Sequence, residues 1–142
     1  MVNSFQATRR VEFADTDMAG IAHFSSFFRY MEETEHAFLR SLGLSVVFRA
    51  ADEQYSWPRV AAACDYVRPA KFEDVLDVEL RVARLGTSSV GYRFLFSLDG
   101  QRIAEGTMTA VCCRIEHGRP PKSAPLLPAF LDQVQVHPET ND

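Results

Sequence analysis

The chain has 142 residues, 46% of them hydrophobic, enough for one core and too few for two independently stable domains, so residues 1–142 are read as a single domain. A formal net charge of −4, from 15 Lys and Arg against 19 Asp and Glu, alternates in sign along the chain without a basic stripe, which argues against nucleic acid as a partner. The opening MVNSFQATRR carries no apolar run, and no later window reaches the ~18 apolar residues of a spanning helix, so a soluble, untargeted, cytoplasmic protein with no membrane partner is expected.

Residues 5–13 place Phe5, Ala7, Val11 and Phe13 on one face if extended, interrupted by Arg9, which reads as a first strand. The next ten residues, ADTDMAGIAH, are rich in turn-formers and small side chains and read as a connecting loop. From Ser25 the period changes. Phe27, Phe28, Met31, Glu35, Phe38, Leu39 and Leu42 fall on one helical stripe that ends at Gly43, with Ser25 or Ser26 available as N-cap and Gly43 as the left-handed residue beyond the last turn. Glu35 is the oddity, a carboxylate where a core residue is expected.

Residues 44–58 show no sustained period and read as a connection with one helical turn. Residues 59–67 form a strand faced with very small side chains, which would let a helix approach the sheet closely. Residues 75–85 alternate strictly, with Leu76, Val78, Leu80 and Val82 inward. Leu85-Gly86-Thr87 is a turn, and Val90, Tyr92, Phe94, Phe96 and Leu98 alternate again up to Asp99-Gly100, a two-residue hairpin signal. A fifth strand over 102–115 follows, and the proline-broken tail leads at most to a short helix around 126–135. The sum is an α+β domain: an antiparallel sheet of about five strands with one long helix across it. A helix of about 18 residues is about 27 Å long, and five strands at about 4.8 Å spacing span about 19 Å, so one helix can cover the sheet. Open edge strands favour pairing with a second copy.

The three cysteines, Cys64, Cys112 and Cys113, include two neighbours in sequence and match neither a disulfide framework nor a CxxC metal knuckle. They fit a reducing compartment, and Cys112 and Cys113 read as small core residues pointing to opposite faces of a strand.

Asp15 and Asp17 stand just upstream of the helix N-terminus. Unpaired N–H groups of a first turn, with the helix dipole, attract developing negative charge such as the oxyanion of an attacked carbonyl. A nearby carboxylate could attack that carbonyl or activate water. The same two residues are equally the composition of an ordinary turn and capping loop.

Residues 11–33, VEFADTDMAGIAHFSSFFRYMEE, resemble the signature of the 4-hydroxybenzoyl-CoA thioesterase family: aromatic-x-D-x-D-x-x-G-[IV], then aromatics and a helix with an acidic residue near its second turn. The likeness continues through WPRV at 57–60, RPAKFEDVLDVELRVARLGTSSV at 68–90 and EGTMTAV at 105–111, most of the chain. The resemblance implies the hotdog fold, a sheet wrapped around one central helix, and hydrolysis of an acyl-CoA or aryl-CoA thioester to the free acid and coenzyme A. It implies no metal and no cofactor beyond the coenzyme A of the substrate. It also implies Asp17 as the catalytic carboxylate, acting as nucleophile or general base, and the backbone N–H of Phe24 as the group that polarises the thioester carbonyl. Gly20 would let substrate approach the backbone, while His23 and Glu32 would contact it, Glu32 reading the acyl group.

There are departures. Ala22-His23-Phe24 stands where members often read VYH, which puts His23 one place early, either on the substrate or merely solvated at the helix start. Glu32 has an exposed or capping role as its plain alternative. Gly86-Thr87-Ser88 replaces a basic cluster of some members, leaving Arg59, Arg68, Lys71 and Arg84 as candidates for the coenzyme A phosphates.

Other chemistries find less support. No G-x-S-x-G elbow supports Ser25 or Ser26 with His23 as a serine hydrolase. His36, near Glu32, Glu33 and Glu35, lacks the spacing of a metal motif and reads as part of a solvated face. A hotdog hydratase or dehydratase would need roughly D-x-N-P-x-H, which the chain lacks. A non-catalytic acyl-CoA-binding module remains as the alternative, and the presence of Asp17 counts against it. The expected assembly is a homodimer or homotetramer.

Overall fold

The computed structural model describes residues 1–139. The main sheet has five antiparallel strands in the order β1-β5-β6-β7-β4, built from β1 (Ser4–Arg10), β4 (Arg59–Tyr66), β5 (Val75–Leu85), β6 (Ser89–Leu98) and β7 (Gln101–Val111). The alternation read in β5 and β6 is the buried face: Leu76, Val78, Leu80, Val82, Val90, Tyr92, Phe94 and Phe96 are all in the core. Asp99 and Gly100, both at positive φ, make the tight turn between β6 and β7.

Helix α1 (Ser26–Ser41) lays Phe27, Tyr30, Met31, Phe38 and Leu39 on that face. It closes as the sequence signals: Gly43 takes φ +77°, and the Leu44 N–H reaches back to the Leu39 carbonyl at 2.9 Å. Ser25 occupies the N-cap position, but its side chain caps nothing. The helix lies close on the sheet at Gly106 of β7, where a methyl group would overlap the sulfur of Met31. The small residues of β4 serve a different end: Ala61, Ala62 and Ala63 are exposed on an edge strand. This is the hotdog arrangement, α+β with one main helix against an antiparallel sheet.

Three expectations are corrected. Residues 44–58 hold no helical turn: β2 (Val47–Ala50) and β3 (Glu53–Ser56) form a hairpin, its turn made by Ala51 and Asp52 at φ 51° and 64°. The fifth strand divides at buried Cys112 into β7 and β8 (Cys113–Ile115), because β8 leaves the main sheet to pair with β3 in a second sheet, β2-β3-β8-β9, with β9 at Lys122–Ser123. The first strand stops at Arg10, since Glu12 and Asp15 hydrogen-bond reciprocally and bend the chain into a 3-10 turn (Phe13–Asp15), leaving Phe13 exposed with its ring edge-on to Phe72. The terminal helix is α2 (Pro128–Leu131), which buries Phe130 against Trp57. No helix among the described residues is long and apolar enough to cross a membrane.

Candidate active site

Asp15 and Asp17 have separate surroundings. Asp15 is 4% exposed. Its carboxylate accepts hydrogen bonds from the Glu12 N–H at 2.9 Å, Arg29 Nη2 at 2.6 Å and Arg9 Nη1 at 3.2 Å. Burial works against its charged form, but the Glu12 amide and Arg29 outweigh it and hold the carboxyl below the usual range. Its carbonyl accepts the His23 N–H at 2.7 Å and the Ser26 hydroxyl at 2.8 Å. Asp15 therefore ties β1, the loop and the start of α1 into one unit.

Asp17 sits in the turn that unit supports. Its N–H donates to the Ile21 carbonyl at 2.9 Å, its carbonyl accepts the Gly20 N–H at 3.0 Å, and Oδ1 accepts the Ala19 N–H at 2.8 Å. Gly20, at φ +79°, makes the corner that the turn requires. Among the described residues Oδ2 of Asp17 accepts no hydrogen bond, so one carboxylate oxygen is available to a ligand or water.

The segment from His23 to Ser26 leaves one comparable vacancy. The His23 amide goes to Asp15, the Ser25 amide to His23 Nδ1 at 3.2 Å and the Ser26 amide to the His23 carbonyl at 2.9 Å. The Phe24 N–H has no acceptor among the described residues. Asp17 and Phe24 line one groove of about 450 Å³, together with Ile21, Phe27, Tyr66 and Arg68. A free carboxylate oxygen and a free amide at a helix start, on one mostly apolar groove, are the parts needed to activate a nucleophile and stabilise an oxyanion.

Residues 11–134 match the sequence profile of the thioesterase-like superfamily. The chain belongs to that superfamily. The 1,4-dihydroxy-2-naphthoyl-CoA hydrolase of Synechococcus sp. strain WH7803 is 33% identical over 119 residues, 79% of this chain and 78% of that relative. Among solved structures, the 1,4-dihydroxy-2-naphthoyl-CoA thioesterase of Synechocystis superposes with a TM-score of 0.77 at 26% identity, covering 90% of this chain and 93% of its own. A gentisyl-coenzyme A thioesterase gives the same TM-score and identity over 88% of this chain and 95% of its own.

The thioesterase places His23 and Glu32 off the groove wall. His23 stacks on the Phe24 ring at 4.4 Å and meets the Ser25 hydroxyl through Nδ1 at 2.7 Å. Glu32 is exposed on α1. Of the four basic candidates, Arg68 alone lines the groove, with Nη1 on the Arg102 carbonyl at 3.0 Å. Arg59 is committed to Glu35 and the Trp57 carbonyl, Arg84 to the Ser89 hydroxyl, and Lys71, paired with Ile21 next to the groove, is exposed. The Arg59 pair also explains the odd helical carboxylate: Glu35, 1% exposed, is neutralised from β4. Among the described residues no three His, Cys, Asp or Glu side chains converge to hold a metal ion.

Among the groove-wall residues that the sequence did not single out are Tyr66 and Phe27. Tyr66 ends β4 and donates its hydroxyl to the Phe24 carbonyl at 2.8 Å, and Phe27, read only as a core residue, packs edge-on against it at 5.4 Å. Only an aromatic at the end of a small-residue strand hinted at Tyr66.

Proposed function

We propose that this thioesterase hydrolyses an aryl-CoA thioester, with Asp17 as the catalytic carboxylate and the Phe24 N–H as the donor to the thioester oxygen. The observation that carries the reading is the pairing, on one groove, of Asp17 Oδ2 and the Phe24 N–H, both without protein partners among the described residues. Phe24, Phe27 and Tyr66 wall the groove with flat apolar surface, which suits an aromatic acyl group, and the relatives named for their substrates act on aryl-CoA thioesters.

Water supplies the hydroxyl and the C–S bond breaks, leaving the free acid and coenzyme A, which carries away a proton on sulfur. Asp17 either removes the proton from water or attacks first to form a mixed anhydride that water then opens. Arg68, at the groove mouth, is the candidate for a coenzyme A phosphate. No metal and no further cofactor enters the scheme. Three free cysteines fit a reducing, cytoplasmic setting.

The groove is completed in a homodimer, or in a tetramer built from it. β4 has a neighbour on one side only, and pairing it antiparallel with its copy across a two-fold axis opposes the Arg59 end of one strand to the Tyr66 end of the other. Glu32, exposed on α1 three residues before Glu35, the partner of Arg59, is the candidate to read a polar substituent of the acyl group in the neighbouring groove.

The test is thiol release from acetyl-, medium-chain, long-chain and aryl-CoA thioesters by wild type and Asp17→Asn. Aryl thioesters turn over fastest, and the substitution lowers kcat by ~10²-fold or more in a folded protein. Equal rates in the two proteins remove Asp17 from the mechanism, and preference for a long alkyl chain removes the aryl assignment.

A further inference from the structure

The Phe24 N–H can stabilise an oxyanion only if the main chain around it is held still, because a donor's worth in the transition state lies in being aimed before the charge develops. The segment is anchored from below through the Asp15 carbonyl, which accepts from His23 and Ser26 on either side of Phe24. Phe24 itself gains little from those bonds. The residue is 62% exposed, and the Ser25 side chain, which could have capped the helix, is turned to His23.

One hydrogen bond reaches Phe24 from outside the segment, the Tyr66 hydroxyl on its carbonyl, spanning 42 residues of sequence at 2.8 Å. The Tyr66 ring is set edge-on against Phe27, and Phe27 is 3% exposed and packs edge-on against Phe96 in the sheet. The hydroxyl is thus fixed to the core through two rings, although Tyr66 as a whole is 45% exposed. Burial, with Cys64 and Asp65 adding to it, pushes the Tyr66 hydroxyl up to about 12, so it stays protonated and able to donate across neutral pH.

We propose that Tyr66 is a positioning residue for the hydrolysis, its hydroxyl holding the Phe24 main chain so that the unpaired Phe24 N–H faces the groove. This rests on the assignment of the Phe24 N–H as the oxyanion donor. Tyr66 does not give up its proton; its bond to the Phe24 carbonyl fixes the peptide plane that follows Phe24 and so limits the turn of Phe24 between the His23 and Ser26 anchors. The ring's contribution to the groove wall is separate and survives loss of the hydroxyl.

Tyr66→Phe keeps the ring against Phe27 and removes the hydroxyl, and with it the bond to Phe24 and the contact with the Cys64 thiol. With benzoyl-CoA as probe, kcat falls about 10-fold, in keeping with a loosened rather than deleted donor, while KM stays within about 2-fold of wild type and the pH profile of kcat keeps its shape. In 15N–1H spectra the amides of Phe24 and Ser25 shift while those of the sheet stay in place, a readout independent of turnover. An unchanged kcat, a raised KM at full kcat, or unmoved Phe24 and Ser25 amides would each overturn the positioning role, and loss of the alkaline limb would make Tyr66 an acid instead. Asp17→Asn run in parallel separates the two levels. If it abolishes turnover while Tyr66→Phe is silent, only the role of Tyr66 fails; if it too is silent, the reading of the groove fails.

Discussion

Asp15 and Asp17 belong to one D-x-D motif, and the fold gives them opposite tasks: Asp15 spends every oxygen on protein donors, whereas Asp17 keeps one back. Asp15→Asn loses the charge that Arg29 and Arg9 face, and we expect a loss of about 2 kcal/mol in urea unfolding at neutral pH, as for a charge-assisted hydrogen bond inside the protein. The sign of the pH dependence follows from the lowered value of Asp15. A carboxyl held below its ordinary 3.8 stabilises the fold fully above that pH and loses the contribution as pH falls from there through the folded value. The stability gap between wild type and Asp15→Asn therefore closes in the acid range below 3.8 and stays constant from mildly acidic to neutral pH. A gap that persists at the acid end would mean that Asp15 acts through shape alone.

Between elements, the sharpest test is the pair joining α1 to β4. Glu35 is buried and Arg59 reaches water at its end, so the two deletions differ. Arg59→Met strands a carboxylate in the core and should cost about 3–5 kcal/mol, Glu35→Leu less because Arg59 can turn outward, and the double variant should regain most of the loss. Chemical denaturation of the four proteins measures the cycle, and simple additivity would show that the two groups do not compensate each other. The same elements show what the sequence could and could not disclose. The alternation of β5 and β6, the Asp99-Gly100 turn and the stripe of α1 were legible because each buries one face with its own period. The hairpin of β2 and β3 was not: its strands are four residues each, and its turn uses Ala51 and Asp52 at positive φ without a glycine to announce it. The split at Cys112 was hidden because both halves continue as extended chain and only the choice of sheet changes. The roles proposed for Asp17 and Phe24 come from a contiguous motif, whereas Tyr66 reaches Phe24 by a contact between distant segments that no local pattern encodes.

At the scale of the molecule the open side of β4 matters most, because that edge exposes Val60 at 64% along with Ala61, Ala62 and Ala63, an apolar edge with no charge to deter pairing until Asp65. In a two-fold antiparallel pairing of Arg59–Tyr66 with its copy, the axis passes between Ala62 and Ala63, so Ala62 of one chain lies opposite Ala63 of the other, on the same face. Charges placed at both positions meet across the axis, at the roughly 5 Å separation of cross-strand neighbours, and like charges directly opposite destabilise the pair. The double variant Ala62→Asp/Ala63→Asp is thus expected to give a folded monomer by sedimentation velocity where the wild type sediments as a dimer or larger. Thiol release from aryl-CoA should fall with it, because Glu32 of the second copy leaves the groove. A variant that stays dimeric would move the interface away from β4; a monomeric variant with undiminished turnover would show that one chain carries the whole site, and that Glu32 reads nothing across the axis.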